Sequence, residues 1–306
     1  MALTRFWLGL AVTVAVLVAA APAQATFPGR NGAIAYAQAG SSGGPGTIYD
    51  TNGLYAAAPR VRPQARALIE CKLTDYVPQG CAVTEFASPS YSPDGRRLVF
   101  DAGTQLALVN ADGSGLRLLS AVTSNDSEPA FAPDGKRIVF AGKNDHGTTD
   151  VYVRRLDGGE ARVIAPDASE PAWSSRNQIA YVLGGKIYRS DPRGRHRRLV
   201  TAGISPDWSP GGGRLVLVRP IRPGAFFGRI HVVGAGGHRL RGIGSRKDLS
   251  DPVWSPDGRW LAFYGFDLGV HKRRFLRHAR LFEIAASQYG SEGAFVSAFD
   301  PAWQPR

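Results

Sequence analysis

Four acidic side chains occupy one position of a repeated phrase, and together they could bind a cation. Each directly precedes a proline, and the four are Glu128, Glu170, Asp251 and Asp300. Carboxylates crowded into a partly dry site repel one another, and a bound cation, a proton or a basic group of a partner relieves the repulsion. Carboxylate oxygens are ligands that Ca²⁺ accepts. The sequence therefore predicts a cation or basic-peptide site at these four acids.

The same acids also have a purely structural interpretation. Each could cap a turn or pair with an arginine of its neighbour. The other positions of the phrase are explained by folding, whereas this first position is not. Both interpretations stay open at the level of sequence.

The phrase that contains these acids occurs six times. It consists of an acidic or small residue, Pro, a variable residue, an aromatic residue, usually Ser/Ala-Pro-Asp-Gly, and a short apolar segment. The copies are SPSYSPDGRRLVF from Ser88, EPAFAPDGKRIVF from Glu128, EPAWSSRNQIAY from Glu170, SPDWSPGGGRLVLV from Ser205, DPVWSPDGRWLAF from Asp251 and a shortened DPAWQPR from Asp300. Repetition at intervals of roughly 40 residues is typical of propeller blades.

Each part of the phrase predicts a structural element. Pro, Asp and Gly in succession favour a tight turn between two strands, and the apolar segment that follows predicts a strand buried on both faces. The earlier Pro indicates an edge strand, which we place beside a central channel. The aromatic residues are expected to pack between neighbouring blades, and they are Tyr91, Phe131, Trp173, Trp208, Trp254 and Trp303.

Two further strands follow each complete copy, so the sequence predicts an all-β chain. We expect a six-bladed β-propeller of four-stranded antiparallel blades, formed by residues 26–306 as a single domain. The sixth copy lacks its apolar strand, and the segment FPGRNGAIAY near the start of the chain can supply it. We therefore expect the ring to be closed by pairing the N-terminal strand with the C-terminal segment.

The first 25 residues have the features of a signal peptide. Arg5 provides a positive charge, an apolar run follows, and Ala23-Gln24-Ala25 fits a cleavage site before Thr26. A retained membrane anchor is the alternative, although Pro22 interrupts the apolar run. We expect an exported protein, periplasmic or extracellular. In an oxidising compartment Cys71 and Cys81 favour a local disulfide, with two unpaired buried thiols as the alternative.

Positive charge is concentrated in one part of the chain. The formal net charge is +12, and residues 181–280 contain 20 Lys/Arg against 6 Asp/Glu. A basic run there predicts binding to an anionic surface, through Lys272, Arg273, Arg274, Arg277 and Arg280. A smaller cluster spans residues 193–198. We expect both to lie between strands, where a solvated loop is the alternative interpretation, and nucleic acid does not suit an exported chain.

The phrase resembles the propeller repeat of TolB and its WD40-like relatives. The resemblance rests on the pattern xPxWSPDGxxIAF, on third strands that end in Asp-Gly and on a chain that stops just after Pro-Ala-Trp, and it covers essentially the whole mature chain. It implies an exported six-bladed propeller that binds envelope proteins through its channel face. TolB has an α/β domain before its propeller, whereas these repeats begin just after the predicted cleavage site, so we expect no such domain.

The sequence favours binding over catalysis. It has no HExxH, no CxxC and no phosphate-binding glycine loop in a strand-to-helix context. We therefore expect a non-catalytic, monomeric scaffold for an envelope or extracellular protein or peptide. Some propellers are lyases or lactonases that use channel metals, so a metal-dependent enzyme built on the channel carboxylates is the alternative. Metal content would distinguish the two classes.

Overall fold

The computed structural model describes residues 26–44, 47–58, 65–74, 77–78, 81–83, 85–265, 269–275, 281–285, 288–289 and 295–306. Over these ranges the regular elements are all β-strands. None of the described segments forms a helix with the length and apolar character needed to cross a membrane. The predicted signal peptide, residues 1–25, lies outside the described residues.

All strand pairs are antiparallel. The first twelve strands are β1 (Asn31–Gly44), β2 (Thr47–Ala57), β3 (Ala65–Thr74), β4 (Val77–Pro78), β5 (Ala87–Tyr91), β6 (Arg97–Ala102), β7 (Gln105–Asn110), β8 (Arg117–Leu118), β9 (Asp126–Phe131), β10 (Arg137–Lys143), β11 (Thr149–Arg155) and β12 (Arg162–Ala165). The later strands are β13 (Ala168–Trp173), β14 (Ile179–Leu183), β15 (Lys186–Ser190), β16 (Arg198–Ala202), β17 (Ile204–Trp208), β18 (Arg214–Pro220), β19 (Gly228–Gly234), β20 (Arg241–Gly242), β21 (Leu249–Trp254), β22 (Trp260–Gly265), β23 (Gly269–Arg274), β24 (Leu281–Ala285), β25 (Gln288–Tyr289) and β26 (Phe295–Pro305).

The strands form an all-β propeller of four-stranded antiparallel blades. Strands β5 to β8, β9 to β12 and β13 to β16 each make one four-stranded sheet in chain order. The sequence predicted six separate sheets, whereas the described strands form five. The difference arises because one residue pair, Gly228 with Leu249, joins β19 to β21 and merges β17 to β24 into one sheet. The remaining sheet has the order β25-β26-β1-β2-β3-β4.

The strands that carry the proline phrase surround a common centre. Strands β5, β9, β13 and β17 each lie at an edge of their sheet, as the proline indicated. Each phrase strand also contacts the next one along the chain, and β26 contacts β5. This closed circle of neighbours places the first residues of the phrase around one central channel.

The two ends of the chain pair with each other. Ile34 of β1 lies opposite Trp303 of β26, and Ala35 lies opposite Ala302. Beyond the strands, the Arg30 backbone N–H donates to the Arg306 carbonyl at 2.6 Å, and the Arg306 N–H donates back at 2.9 Å. The N-terminal strand therefore occupies the place that the shortened sixth copy leaves empty.

The aromatic residue of each copy is buried against the preceding copy. Trp208 shares a core cluster with Ala172 and Ala180, and its indole N–H donates to the Ala172 carbonyl at 3.2 Å. Trp173 is covered by the Arg137 guanidinium at 5.0 Å from the ring centre. The six aromatic residues of the phrase are between 0% and 4% exposed, and each large ring buries about 150 to 250 Å². The packing between neighbouring copies is therefore largely aromatic.

The turn after the aromatic residue depends on left-handed backbone. Gly95 has a φ of 67°, and its N–H donates to the Ser92 carbonyl at 2.8 Å. The third copy has no glycine here, and Asn177 adopts the same conformation with a φ of 58°. Asparagine tolerates this region better than most residues, so the turn geometry is retained without the Pro-Asp-Gly sequence.

Cys71 and Cys81 form a disulfide whose Cα atoms are 5.6 Å apart. The local disulfide predicted from the sequence is therefore formed, and Cys71 lies within β3. Strands β1 and β2, which precede β3 in the same sheet, are long, with 14 and 11 residues.

Gly95 and Gly135 offer a matched test of the contact that the C-terminal strand makes with the first turn. Both have positive φ, so alanine at either position is expected to cost about 1 kcal/mol of backbone strain. A Cβ at Gly95 would also lie 2.0 Å from the Pro305 carbonyl oxygen, whereas a Cβ at Gly135 meets nothing closer than 3.6 Å. We expect Gly95→Ala to lower the free energy of unfolding in urea by at least about 2 kcal/mol more than Gly135→Ala. Equal losses would contradict this account of the terminal pairing.

Candidate functional site

The first residue of every phrase copy has left-handed backbone. The φ angles lie between 49° and 56°, at Ser88, Glu128, Glu170, Ser205, Asp251 and Asp300. At each of them the phrase strand slips in register against its neighbour in the sheet. A bulge of this kind leaves the extra residue unpaired in the ladder. The strain of a non-glycine residue in this region must be offset by other interactions.

Hydrogen bonds to the preceding copy supply that compensation. The Ser88 N–H donates to Asp300 Oδ2 at 3.0 Å, and the Glu170 N–H donates to Glu128 Oε2 at 2.5 Å. The Ser205 N–H donates to Glu170 Oε2. These three acids therefore each accept the N–H of the next copy around the ring, a structural role that differs from both capping a turn and pairing with an arginine.

Sequence reasoning missed Asp101, which completes this arrangement where the first residue is too short. Ser88 has no carboxylate with which to reach the next copy, and the Glu128 N–H donates instead to Asp101 Oδ1 at 2.8 Å. Asp101 also accepts the Ser88 side chain. The signal in the sequence was an Asp directly after the apolar strand Leu98-Val99-Phe100, where the second copy has Ala141.

Burial disfavours the ionised form of the four acids at the first position of the phrase, which we call the ring acids. It raises the pKa of Glu170 and of Asp300 to about 7, against the opposing effect of the N–H groups that they accept. Burial, reinforced by the Glu170 charge, raises the pKa of Glu128 well above its usual range. Burial and the Asp300 charge do the same for Asp251, whose Oδ2 accepts the Ser250 hydroxyl at 2.5 Å. Protonation therefore relieves part of the predicted repulsion.

The four acids do not form a ready-made metal centre. In the described part of the chain, no group of three or more His, Cys, Asp or Glu side chains is arranged to hold a metal ion. A Ca²⁺ ion takes about six to eight oxygen ligands, while Glu128, Glu170 and Asp300 already accept backbone N–H groups. Ca²⁺ binding at these residues stays a prediction.

The basic run that was predicted to bind an anionic surface does not lie in a loop, as was expected, but begins in a strand. Residues 269–274 form β23, and Lys272 is only 5% exposed. The Lys272 ammonium lies 5.3 Å from the centre of the Trp260 ring, as does the Arg274 guanidinium, and burial lowers the pKa of Lys272. Arg273 is half-buried, whereas Arg277 and Arg280 lie outside the described residues. Lys272 is therefore a packing residue rather than an exposed cation.

The smaller basic cluster lies on an exposed surface. In the first and second copies the phrase turn lies beside the turn that follows the third strand, because the Ala111 N–H donates to the Arg96 carbonyl and the Leu156 N–H donates to the Lys136 carbonyl. The 193–198 cluster occupies the corresponding turn of the third copy, between β15 and β16. We call this side of the ring, formed by the phrase turns and by the turns between third and fourth strands, the turn face. The first residues of the phrase lie at the opposite ends of the same strands.

A contiguous group of arginines covers part of the turn face. The Arg162 guanidinium donates to the Pro192 carbonyl at 2.7 Å, which joins β12 to the following turn. The turn at Gly237 approaches β16 so closely that a Cβ would lie 2.6 Å from the Val200 oxygen. We call these exposed side chains the arginine patch, and they are Arg162, Arg193, Arg195, Arg197, Arg198, Arg239 and Arg241.

The arginine patch is weakly neutralised. Arg195 pairs with Asp191 at 3.0 Å, and the Arg197 guanidinium lies 5.7 Å from the centre of the Tyr188 ring. Arg241 stacks on Phe275 at 4.8 Å beside a cavity of 330 Å³ that Arg214 and Arg239 also line. Exposed guanidinium groups in this number attract anions and acidic surfaces.

Comparison with solved structures supports the propeller fold. TolB from Acinetobacter baumannii has a TM-score of 0.64 and 15% identity, over 90% of this chain and 67% of that chain. A putative TolB from Agrobacterium tumefaciens has a TM-score of 0.61 and 15% identity, over 89% and 99%. An oligogalacturonate lyase in complex with manganese has a TM-score of 0.54 and 14% identity, over 80% and 75%.

Neither protein-family models nor curated protein sequences give a match. At these identities the likeness to the solved structures is one of fold. The chain is a propeller similar to those of the TolB structures.

The raised pKa of Glu170 predicts how stability depends on pH. The unfolded side chain ionises near pH 4.5, while the folded one keeps its proton until about pH 7. Unfolding between these values releases a proton, so the free energy of unfolding should fall as pH rises from about 4.5 to 7. We expect Glu170→Gln, which keeps an acceptor for the Ser205 N–H, to reduce this slope in urea titrations.

The exposed Glu160 provides the control, because Glu160→Gln should leave the pH slope unchanged. Glu170→Ala removes the acceptor and should destabilise the protein by about 1 to 3 kcal/mol at every pH. An unchanged slope in Glu170→Gln would contradict the burial of an ionisable carboxyl at this position.

Proposed function

We propose that this chain is an exported six-bladed propeller that serves as a non-catalytic scaffold for an acidic protein or peptide of the cell envelope. The count of six is supported by the closed circle of phrase strands. The eight-stranded sheet then represents two blades that share the single pair Gly228 with Leu249. The likeness of fold to TolB supports a role in protein binding. Export is supported by the signal-peptide features of residues 1–25.

The arginine patch is the observation that carries the proposal. The ring acids were the first candidates for binding, but most of them are buried and accept N–H groups of the next copy. The arginine patch is exposed, and Asp191 is the acid that pairs with it in the described part of the chain. A partner with a complementary acidic surface would be attracted at long range, and its affinity would fall with salt. We therefore assign the binding surface to the arginine patch on the turn face.

Two sets of four substitutions test this assignment at equal net charge. The patch variant carries Arg193→Gln, Arg197→Gln, Arg198→Gln and Arg239→Gln. The control variant carries the same change at exposed cations near the opposite ends of the strands, namely Lys143, Lys186, Arg219 and Arg222. Immobilised wild type and both variants would be exposed to envelope extract, and the bound proteins quantified by mass spectrometry at several salt concentrations.

We expect at least one acidic protein to bind wild type and the control variant, and to bind the patch variant roughly tenfold less. Both variants should keep the wild-type melting temperature, because exposed substitutions usually change stability by under about 0.5 kcal/mol. Equal binding by the patch variant, or equal loss in both variants, would contradict the assignment. If wild type binds protein-free vesicles of anionic phospholipid and the patch variant does not, the partner would be an anionic surface instead.

A metal-dependent enzyme is the second candidate. It is favoured by the likeness of fold to an oligogalacturonate lyase solved with manganese, and by two ring acids whose pKa is about 7. This candidate predicts a stoichiometric divalent ion in the purified protein and a rise in melting temperature with Ca²⁺ or Mn²⁺. Glu170→Gln should abolish that rise, whereas Glu160→Gln should not. A melting temperature indifferent to both ions and to EDTA would eliminate a functional metal at these acids.

A further inference from the structure

One buried acid breaks the pattern of the phrase. The third position of the phrase is small or apolar in the other copies, namely Ser90, Ala130, Ala172, Val253 and Ala302. These residues pack closely between neighbouring copies, and all are buried. The fourth copy has Asp207 at this position, with 0% exposure. A carboxylate in so dry a place needs hydrogen bonds or an opposite charge.

Asp207 is only partly satisfied by its neighbours. The Trp254 backbone N–H donates to Oδ2 at 2.7 Å, and the Thr26 hydroxyl lies 2.9 Å from the same oxygen. The other oxygen, Oδ1, is buried and has no hydrogen-bond partner. Burial raises the pKa of Asp207 well above its usual range, and the N–H groups of Trp254, Trp208 and Thr26 oppose that shift. The main-chain nitrogen of Thr26 therefore lies near this carboxylate.

Thr26 is held in place far from the surface. It is 3% exposed, and its hydroxyl also lies 3.1 Å from the Trp254 carbonyl oxygen. The next residue, Phe27, is likewise 3% exposed and belongs to a core cluster with Val99 and Ala130. The segment that follows is anchored to the fifth copy, because the Gly29 N–H donates to the Pro256 carbonyl at 3.3 Å. Residues 26–29 are thus packed into the ring.

Thr26 is also the residue at which the predicted mature chain begins. Hydrolysis of the Ala25–Thr26 peptide bond by a signal peptidase consumes one water, leaves a carboxylate on Ala25 and creates an ammonium group on Thr26. Before cleavage the Thr26 nitrogen is a neutral amide with one N–H. After cleavage it carries a positive charge and three N–H donors, which suits a buried carboxylate with one unpaired oxygen.

We propose that Asp207 is an internal binding site for the α-ammonium group of Thr26, formed when the signal peptide is removed. The pair joins the start of the chain to β17, while the Thr26 hydroxyl and the Trp254 N–H extend the contact to β21. Cleavage is thereby coupled to stability, because the uncleaved chain leaves the acid without its counter-charge. This inference depends on the proposed export but not on the proposed partner.

Two recombinant chains that differ by one residue test the proposal. One begins at Thr26, produced by cutting a fusion with a protease that leaves no extra residue, and the other begins at Ala25. Each is made with Asp207 and with Asp207→Asn. We expect the Thr26 chain to melt roughly 5 °C higher than the Ala25 chain, and we expect Asp207→Asn to abolish the difference. Asp126→Asn is the control, since Asp126 is a 1% exposed acid that accepts Val122 and Thr123 and should leave the difference intact.

Equal melting temperatures for the two chains, or a difference that persists in Asp207→Asn, would overturn the proposal. If Asp207→Asn does not fold, labelling of the α-amino group with an N-hydroxysuccinimide ester gives a second measurement. We expect the folded Thr26 chain to be labelled at least about tenfold more slowly than the folded Ala25 chain, because its ammonium group is buried and paired. Equal labelling rates would overturn the proposal. A loss of envelope binding in the patch variant alone would not bear on it.

Discussion

The propeller depends on a hydrogen bond that crosses from one phrase copy to the next. A bulge turns the first residue of each phrase into the left-handed region and removes its N–H from the sheet. A carboxylate of the preceding copy accepts that N–H for Ser88, Glu170 and Ser205, and Asp101 does so for Glu128. Because a buried N–H without a partner is costly, neighbouring copies cannot separate without exposing strained backbone. These bonds and the aromatic packing fix the order of the copies.

This constraint explains why so many acids are buried in a strongly basic protein. Their carboxylates are structural acceptors whose charge burial suppresses, as the raised pKa of Glu170 and Asp300 shows. The surface charge is therefore dominated by the exposed arginines. Asp207 differs from these acids, since it directly precedes the aromatic residue of its copy and accepts the hydroxyl of Thr26, where the mature chain is predicted to begin. Acids that look alike in the sequence thus serve two distinct tasks.

The positively charged side chains lie in two different environments. Lys272 and Arg274 stack on Trp260, so their alkyl and cationic groups contribute to packing. The arginines of the 193–198 turn lie in the open, because a turn between the third and fourth strands has no layer above it. Among the described residues of the 271–280 run, Lys272 is buried whereas Arg274 is exposed. The 193–198 turn, by contrast, exposes all of its arginines.

The sequence by itself determined the periodic features, because they are local or repeated. Pro-Asp-Gly specifies a turn, an apolar triplet specifies a buried strand, and the shortened last copy requires the strand contained in residues 27–36. Tertiary structure alone decided the environment of each polar group. The partner of Glu170 is Ser205, 35 residues away, and that of Asp207 is Thr26, 181 residues away. Whether a carboxylate is an exposed anion or a buried acceptor depends on which distant N–H groups reach it, and that follows only once the ring is closed.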